Sequence, residues 1–231
     1  MRIRLLSGGA AHAVVAALAA PFRAETGCEI DGTFSAVGAM REQLLAGAPA
    51  DVVILSRKLV DALVASGHVR AGSCADLGVV RTGIAVRAGD AFPDVAGAAA
   101  LGAALAAAGE VHFPDPERAT AGIHFAGVLD ALGLRGALAA RLRTHPNGAA
   151  AMRALAASGA ARPIGCTQIT EIKATPGVAL VAPLPAEFEL ATVYTAGVCA
   201  RAAAPDAARR LVALLAGEGS RAVRREAGFE L

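Results

Sequence analysis

The chain is poor in aromatic residues. They make up 3% of its 231 positions, with a single tyrosine and no tryptophan. A surface that stacks nucleobases is therefore excluded, and charge excludes nucleic acid a second way: 22 basic and 20 acidic residues give a net charge of +2, with no basic block or stripe. A bilayer-spanning segment is also missing. The most apolar stretch, Val95 to Ala108, is rich in alanine and glycine, too short to cross a membrane, and soon followed by charge. The four cysteines (Cys28, Cys74, Cys166, Cys199) form no CxxC pair and no Cys/His cluster, which argues against a zinc site, leaves them as buried free thiols, and implies no metal and no cofactor. No low-complexity linker separates the halves. Nor is a secretory signal expected from this stretch: Met1 to Ser7 resembles a faint charged n-region, but Gly8, Gly9 and His12 interrupt the apolar region and no convincing cleavage site follows. As written, the chain is expected to be cytoplasmic or to have lost an export signal.

What is present is aliphatic. Hydrophobic residues reach 55%, much of it alanine, so the core must be built from Val, Leu, Ile and Ala with close backbone approach. Short apolar strands alternate with helix-period segments. Ile3–Leu6 leads into a helix through Glu25 that Gly27 stops; Glu29–Phe34 leads into a helix from Ser35 to Ala46; Asp51–Leu55 leads into Arg57–Ser66. The second half repeats the theme, with strands at Val79–Arg87, Val111–Pro114, Ile164–Thr167, Val178–Ala182 and Thr192–Ala200. Its helices are expected at Val95–Ala108, Thr120–Leu132, Ala149–Ser158, Asp206–Leu215 and from Ser220 onward. Such alternation indicates an α/β protein with mostly parallel sheets flanked by helices.

Three helices open directly after strands on small or hydrogen-bonding residues: Ser7-Gly8-Gly9-Ala10, Ser35-Ala36-Val37-Gly38 and Thr120-Ala121-Gly122. The first turn of a helix presents unpaired N–H groups and a partial positive charge, so each is a candidate anion site as well as an ordinary cap.

Gly47-Ala48-Pro49-Ala50-Asp51-Val52, together with Phe22 to Gly27, Phe34-Ser35, Gln43-Leu44, Pro114-Asp115-Pro116, Ala121-Gly122 and the closing Ala227-Gly228-Phe229, resembles the periplasmic molybdate-binding proteins along essentially the whole chain. The resemblance implies a two-lobed type II periplasmic-binding-protein fold. Lobe one would comprise residues 1–80 plus 196–231 and lobe two residues 81–195, joined by two crossover strands. It also implies a small anionic ligand in the cleft between the lobes, a periplasmic location, an ABC transporter permease as partner if the protein is exported, and a monomer.

Family members that hold tetrahedral oxyanions use a serine hydroxyl at each of the first two helix starts and a tyrosine from the late strand region. Those places fall here at Ala10, Gly38 and Gln168. Losing three donors to a charged ligand, at about 1.5–3 kcal/mol each, makes molybdate a poor fit. Backbone donors near Ala10, Gly38, Ala121 and Ala149 would remain, and a small organic carboxylate is the preferred ligand. Its polar partners would come from Ser35, Arg81, His124, Thr167, Gln168, Thr170 and Tyr194. The segment Gly165 to Ile172 resembles a branch of the family that carries organic acids, some of whose relatives isomerise aconitate. An isomerase of that kind needs a base, and His12, His124, Glu171 and Tyr194 are the candidates. Glu171 reads equally as a surface helix residue, and Arg81 equally as a structural partner of Asp51 or Asp115. His68, His112 and His145 are given no role.

Overall fold

The aliphatic strand–helix pattern is realised throughout the computed structural model, which describes residues 1–231. The chain runs β1 (Arg2–Gly8), a 3-10 turn (Gly9–Ala11), α1 (His12–Thr26), β2 (Glu29–Ser35), α2 (Val37–Leu45), β3 (Val52–Ser56), α3 (Arg57–Ala65) and β4 (Ala75–Arg87). It continues as α4 (Ala98–Ala107), β5 (Val111–Pro114), α5 (Thr120–Ala131), α6 (Arg135–Leu138), β6 (Leu142–His145), α7 (Gly148–Ala157), β7 (Ile164–Gln168), α8 (Ile169–Lys173) and β8 (Val178–Pro183). It closes with β9 (Ala191–Val198), α9 (Pro205–Ala216) and α10 (Arg221–Ala227). No single helix is long and apolar enough to cross a membrane.

Two compact units result. Unit 1 is Met1–Val80 with Thr192–Leu231, and unit 2 is Arg81–Ala191. The return crossing falls at Thr192, not at residue 196, because β9 pairs with β3 as far back as Tyr194, opposite Ser56. In unit 1, β1 lies parallel between β2 and β3, and β3 is antiparallel to β9. Leu5, Val53, Ile54 and Leu55 of the sheet belong to one core with Val14 and Phe22 of α1 and Leu211 and Leu215 of α9. Asp51, the acid of the Gly-Ala-Pro-Ala-Asp segment, is buried and structural. Its Oδ2 accepts the Arg4 N–H (2.8 Å), and its Oδ1 accepts the N–H groups of Ala203 (2.7 Å) and Ala204 (3.1 Å). It thus ties β1 to the approach to α9, and it is not the partner of Arg81.

In unit 2, β5 is parallel to β6 and β7, while β7 and β8 run antiparallel to β4, so the sheet is mixed. Its pleat separates two cores. Ile84, Val86, Ile164 and Cys166 pack with Phe125 and Leu129 of α5 and with Leu101 and Leu105 of α4. On the opposite side Ala85 meets Ala151, Met152 and Leu155 of α7 and Ile172 of α8. Three short elements, α6, β6 and α8, have no counterpart in the sequence pattern. Cys28, Cys166 and Cys199 are buried as expected, but Cys74 is exposed in the turn that precedes β4.

Candidate functional site

The candidate residues gather at helix starts, and each start follows from the strand before it. In unit 1, β1 ends at Gly8 and passes straight into the 3-10 turn. A Cβ on Gly8 would lie 2.7 Å from Val37 Cγ1 and 3.1 Å from Tyr194 Cε1, so this close approach of β1, α2 and β9 needs a glycine. Met40 makes the first helical bond of α2, to the Ala36 carbonyl, so the N–H groups of Val37, Gly38 and Ala39 precede it. The N-cap residues of this start and of Gly9-Ala10-Ala11, Ala36 and Gly8, make no side-chain cap bond. Ala10, Ala36 and Val37 are buried, and Ser35 is the last residue of β2, opposite Gly8. Ser7 is buried with its hydroxyl donated locally to the Gly8 carbonyl at 2.9 Å. Tyr194 is buried, its ring edge-on to Phe229 with centroids 6.3 Å apart. His12 stands at the start of α1, exposed, with its ring edge-on to Phe34 at 4.7 Å.

In unit 2 the start of α5 is pressed onto the end of β5. A Cβ on Gly122 would lie 2.2 Å from the Asp115 carbonyl oxygen and 2.3 Å from that of Pro114. Asp115 folds the connecting turn by accepting the N–H groups of Glu117 (2.7 Å) and Arg118 (3.1 Å) on Oδ1. Ile123 is the first helical donor of α5, to Ala119, and leaves the N–H groups of Thr120, Ala121 and Gly122 ahead of it. His124 follows one residue later. Its Nε2 donates to the Phe188 carbonyl at 2.8 Å, and because a carbonyl only accepts, the neutral ring keeps its lone pair on Nδ1.

The start of α7 is different. Asn147 caps it, its Oδ1 accepting the Ala150 N–H at 2.9 Å, and the N–H of Ala149 is turned to the carboxylate of Glu171. That carboxylate also accepts the Thr167 hydroxyl at 2.7 Å and the backbone N–H of Gln168. Glu171 is buried, not a surface residue: burial raises its pKa above the ordinary carboxylate value, and the three hydrogen bonds act against that rise. A Cβ on Gly148 would stand 1.9 Å from Glu171 Oε2, so glycine makes room for this arrangement. Ala149 was expected to offer its N–H to a ligand; the chain's own carboxylate takes it instead. Arg81 is ion-paired with Glu189 and with neither Asp51 nor Asp115, because Glu189 lies on the segment that leads into β9 beside the start of unit 2.

Thr82, Gln168 and Thr170 are all buried, and the Thr82 hydroxyl, both amide atoms of Gln168 and the Thr170 hydroxyl have no hydrogen-bond partner. Nothing in the sequence marks Thr82, which reads as an ordinary strand threonine. His112 and His145 do have a setting of their own, away from these residues. Their rings stack with Nδ1 of His112 and Nε2 of His145 3.2 Å apart, and Glu110 accepts from His112, Arg143 and Ser158. Burial lowers the pKa of both histidines.

Two α/β units exchanging chain segments twice, with helix starts left open at their strand ends, define a type II periplasmic-binding-protein fold. Comparison with solved structures agrees. The chain resembles the periplasmic molybdate-binding protein of Azotobacter vinelandii with a TM-score of 0.81 at 20% identity, covering 99% of each chain. It resembles the sulfate-binding protein SubI from Mycobacterium tuberculosis H37Rv with a TM-score of 0.74 at 18% identity, covering 99% of this chain and 86% of that one. The profile of the bacterial extracellular solute-binding protein family matches residues 3–230, and the chain belongs to that family. Among curated proteins it is similar to an aconitate isomerase from a Pseudomonas species, 29% identical over 234 residues, covering 99% of this chain and 87% of that enzyme.

Proposed function

We propose that this solute-binding protein holds a small organic carboxylate at its open helix starts. The observation that carries the reading is the make-up of the unit 1 starts. Gly9-Ala10-Ala11 and Val37-Gly38-Ala39 offer backbone N–H groups with no cap bond from the N-cap side chain, and Ala10 and Gly38 stand where oxyanion binders of the family place serines. Backbone donors at a helix start answer a carboxylate as readily as an oxyanion, but the side-chain hydroxyls that would add charge-assisted hydrogen bonds to an oxyanion are missing at both places. Ser7, Gly8, Ser35, Thr120, Ala121, Gly122, Gln168 and Tyr194 complete the proposed set. Family membership supports delivery to an ABC transporter permease and a periplasmic site of action, with the protein working as a monomer. A thermal-shift series with molybdate, tungstate, sulfate, phosphate, citrate and the two aconitates tests this. Ligand at about 100 times its dissociation constant adds roughly 2.7 kcal/mol of stability. A raised midpoint with carboxylates alone supports the reading, and a rise with molybdate or tungstate overturns it.

A second reading has its own observation. His124 donates from Nε2 to a carbonyl, which leaves Nδ1 as a base, and the chain is similar to an aconitate isomerase over nearly its whole length. An isomerase on this scaffold would use His124 to move a proton at the carbon next to a carboxylate. His12, exposed against Phe34, is the weaker candidate base. Conversion of trans- to cis-aconitate, followed by proton NMR, should then occur with the native protein and vanish in His124→Gln; no turnover by the native protein removes this reading.

A further inference from the structure

The amide of Gln168 is the least answered polar group in the protein. The residue is 3% exposed, and neither its oxygen nor its nitrogen has a partner. Exchanging the two amide atoms changes nothing, because both ends are unanswered. Across the antiparallel pair Gln168 faces Thr82, which is 1% exposed and whose hydroxyl is also unpartnered. The pleat assigns both side chains a direction. Cys166 and Ile84, two residues away on each strand, pack against α5, so Gln168 and Thr82 turn to that same face. Thr167, between Cys166 and Gln168, turns the other way to Glu171. The register also sets their height. Val111 pairs with Ile164 and His112 with Gly165; carried on at that spacing past the end of β5, Asp115 comes to the height of Gln168, and a Cβ on Gly122 of α5 would lie against the Asp115 carbonyl. The unanswered amide and hydroxyl therefore stand beside the open start of α5, a twelve-residue helix.

The chemistry of this group of atoms is selective. The helix start and the amide N–H groups only donate, and an ionised carboxylate answers them. The amide oxygen only accepts. A ligand made of carboxylates alone has no hydrogen to give it and would leave it buried and unpaired, which a binding site penalises strongly. We infer that the ligand carries a hydroxyl next to a carboxylate, and that Gln168 and Thr82 read the hydroxyl while the start of α5 holds the carboxylate. The inference rests on the proposal that the protein binds organic carboxylates and narrows it to hydroxycarboxylates.

Isothermal titration with matched pairs tests it: citrate against tricarballylate, and malate against succinate, with aspartate as a third partner to malate. The native protein should bind at least one hydroxy acid ten times or more tighter than its deoxy partner. In Gln168→Met that ratio should fall towards one, and in Thr82→Val it should fall part of the way. Both variants replace an unanswered buried polar group with an apolar one of similar size. Their ligand-free melting temperatures should therefore equal or exceed that of the native protein, which separates lost recognition from lost folding. Equal affinity for the hydroxy and deoxy acids overturns the inference and leaves the carboxylate reading standing. So does a preference that survives in both variants. Tighter binding of aspartate than malate replaces the hydroxyl with an amine and overturns it too. Failure of every carboxylate to bind sinks the carboxylate reading and this inference with it.

Discussion

The starts of α5 and α7 are built from similar materials and end in opposite states. Both helices follow a short parallel strand of unit 2, both begin with small residues around a glycine, and they cover opposite faces of one sheet. At α7 every early donor for which a partner is seen has it from within the chain: Asn147 takes the Ala150 N–H, and Glu171 takes that of Ala149. At α5 no capping side chain is present, and the polar groups on that face, Gln168 and Thr82, are unanswered. A helix start is thus an anion site only until the protein supplies its own anion. Glu171 is that anion at α7, placed by a five-residue helix that immediately follows β7.

The largest test of this contrast is Gly148→Ala. The new methyl would collide with Glu171 Oε2 and Thr167 Oγ1. We expect a loss of about 3 kcal/mol in urea unfolding, well beyond the ordinary benefit of alanine in a helix. Adding Glu171→Ala to the same chain should recover part of that loss, since contacting residues are not additive. A harmless Gly148→Ala would mean that the carboxylate does not sit at the start of α7. By itself, Glu171→Ala should cost about 1–3 kcal/mol by stranding buried donors.

Glu171→Gln adds a pH signature. Burial raises the native pKa of Glu171 above its unfolded value, so the stability linked to its proton is present at low pH and is lost as pH rises through the native pKa. The Gln variant lacks that loss. The stability of the native protein relative to the variant should therefore fall from acid towards neutral pH in paired melting curves, and a rising difference would show that the three hydrogen bonds outweigh burial.

Much of this architecture was legible in the residues. Apolar runs bounded by glycine marked β1, β3 and α1 closely, and the resemblance supplied the discontinuous two-unit layout that no composition shift could reveal. The three open helix starts were also visible as Ser7-Gly8-Gly9, Ser35-Ala36-Val37 and Thr120-Ala121-Gly122. What stayed hidden depends on pairing across long separations. β6 is four residues long and polar, and only its place beside β5 makes it a strand. Nothing local in Ile169-Thr170-Glu171 says that the acid will reach the start of a helix more than twenty residues earlier in the chain. The same is true of Thr82 and Gln168, whose significance comes from being paired across β4 and β7 while their side chains have no hydrogen-bond partner.

A smaller effect sharpens the α5 side of the comparison. Gly127 lies in the middle of α5, exposed, and a Cβ there would meet nothing within 4 Å. Gly127→Ala should raise stability by about 0.8–1 kcal/mol through helix propensity alone. Because it leaves the helix start untouched, the thermal shift produced by a bound carboxylate should be the same as in the native protein. A changed shift would mean that binding reorders the whole helix and not its first turn.

The smallest expected effect concerns Arg81, the one cation expected to hold a ligand. Its guanidinium is paired with Glu189, and the two side chains are 33% and 40% exposed. Exposed pairs contribute about 0–1 kcal/mol, so Arg81→Ala should barely move the unfolding midpoint, and less still in high salt. Affinity is the more telling measurement. If Arg81 is answered by Glu189 as the start of α7 is answered by Glu171, carboxylate binding by Arg81→Ala should weaken by less than about threefold, or roughly 0.6 kcal/mol. A tenfold loss would instead show that Arg81 leaves Glu189 for the ligand. The division between groups satisfied by the chain and groups kept open would then hold for backbone donors and fail for the mobile side chain.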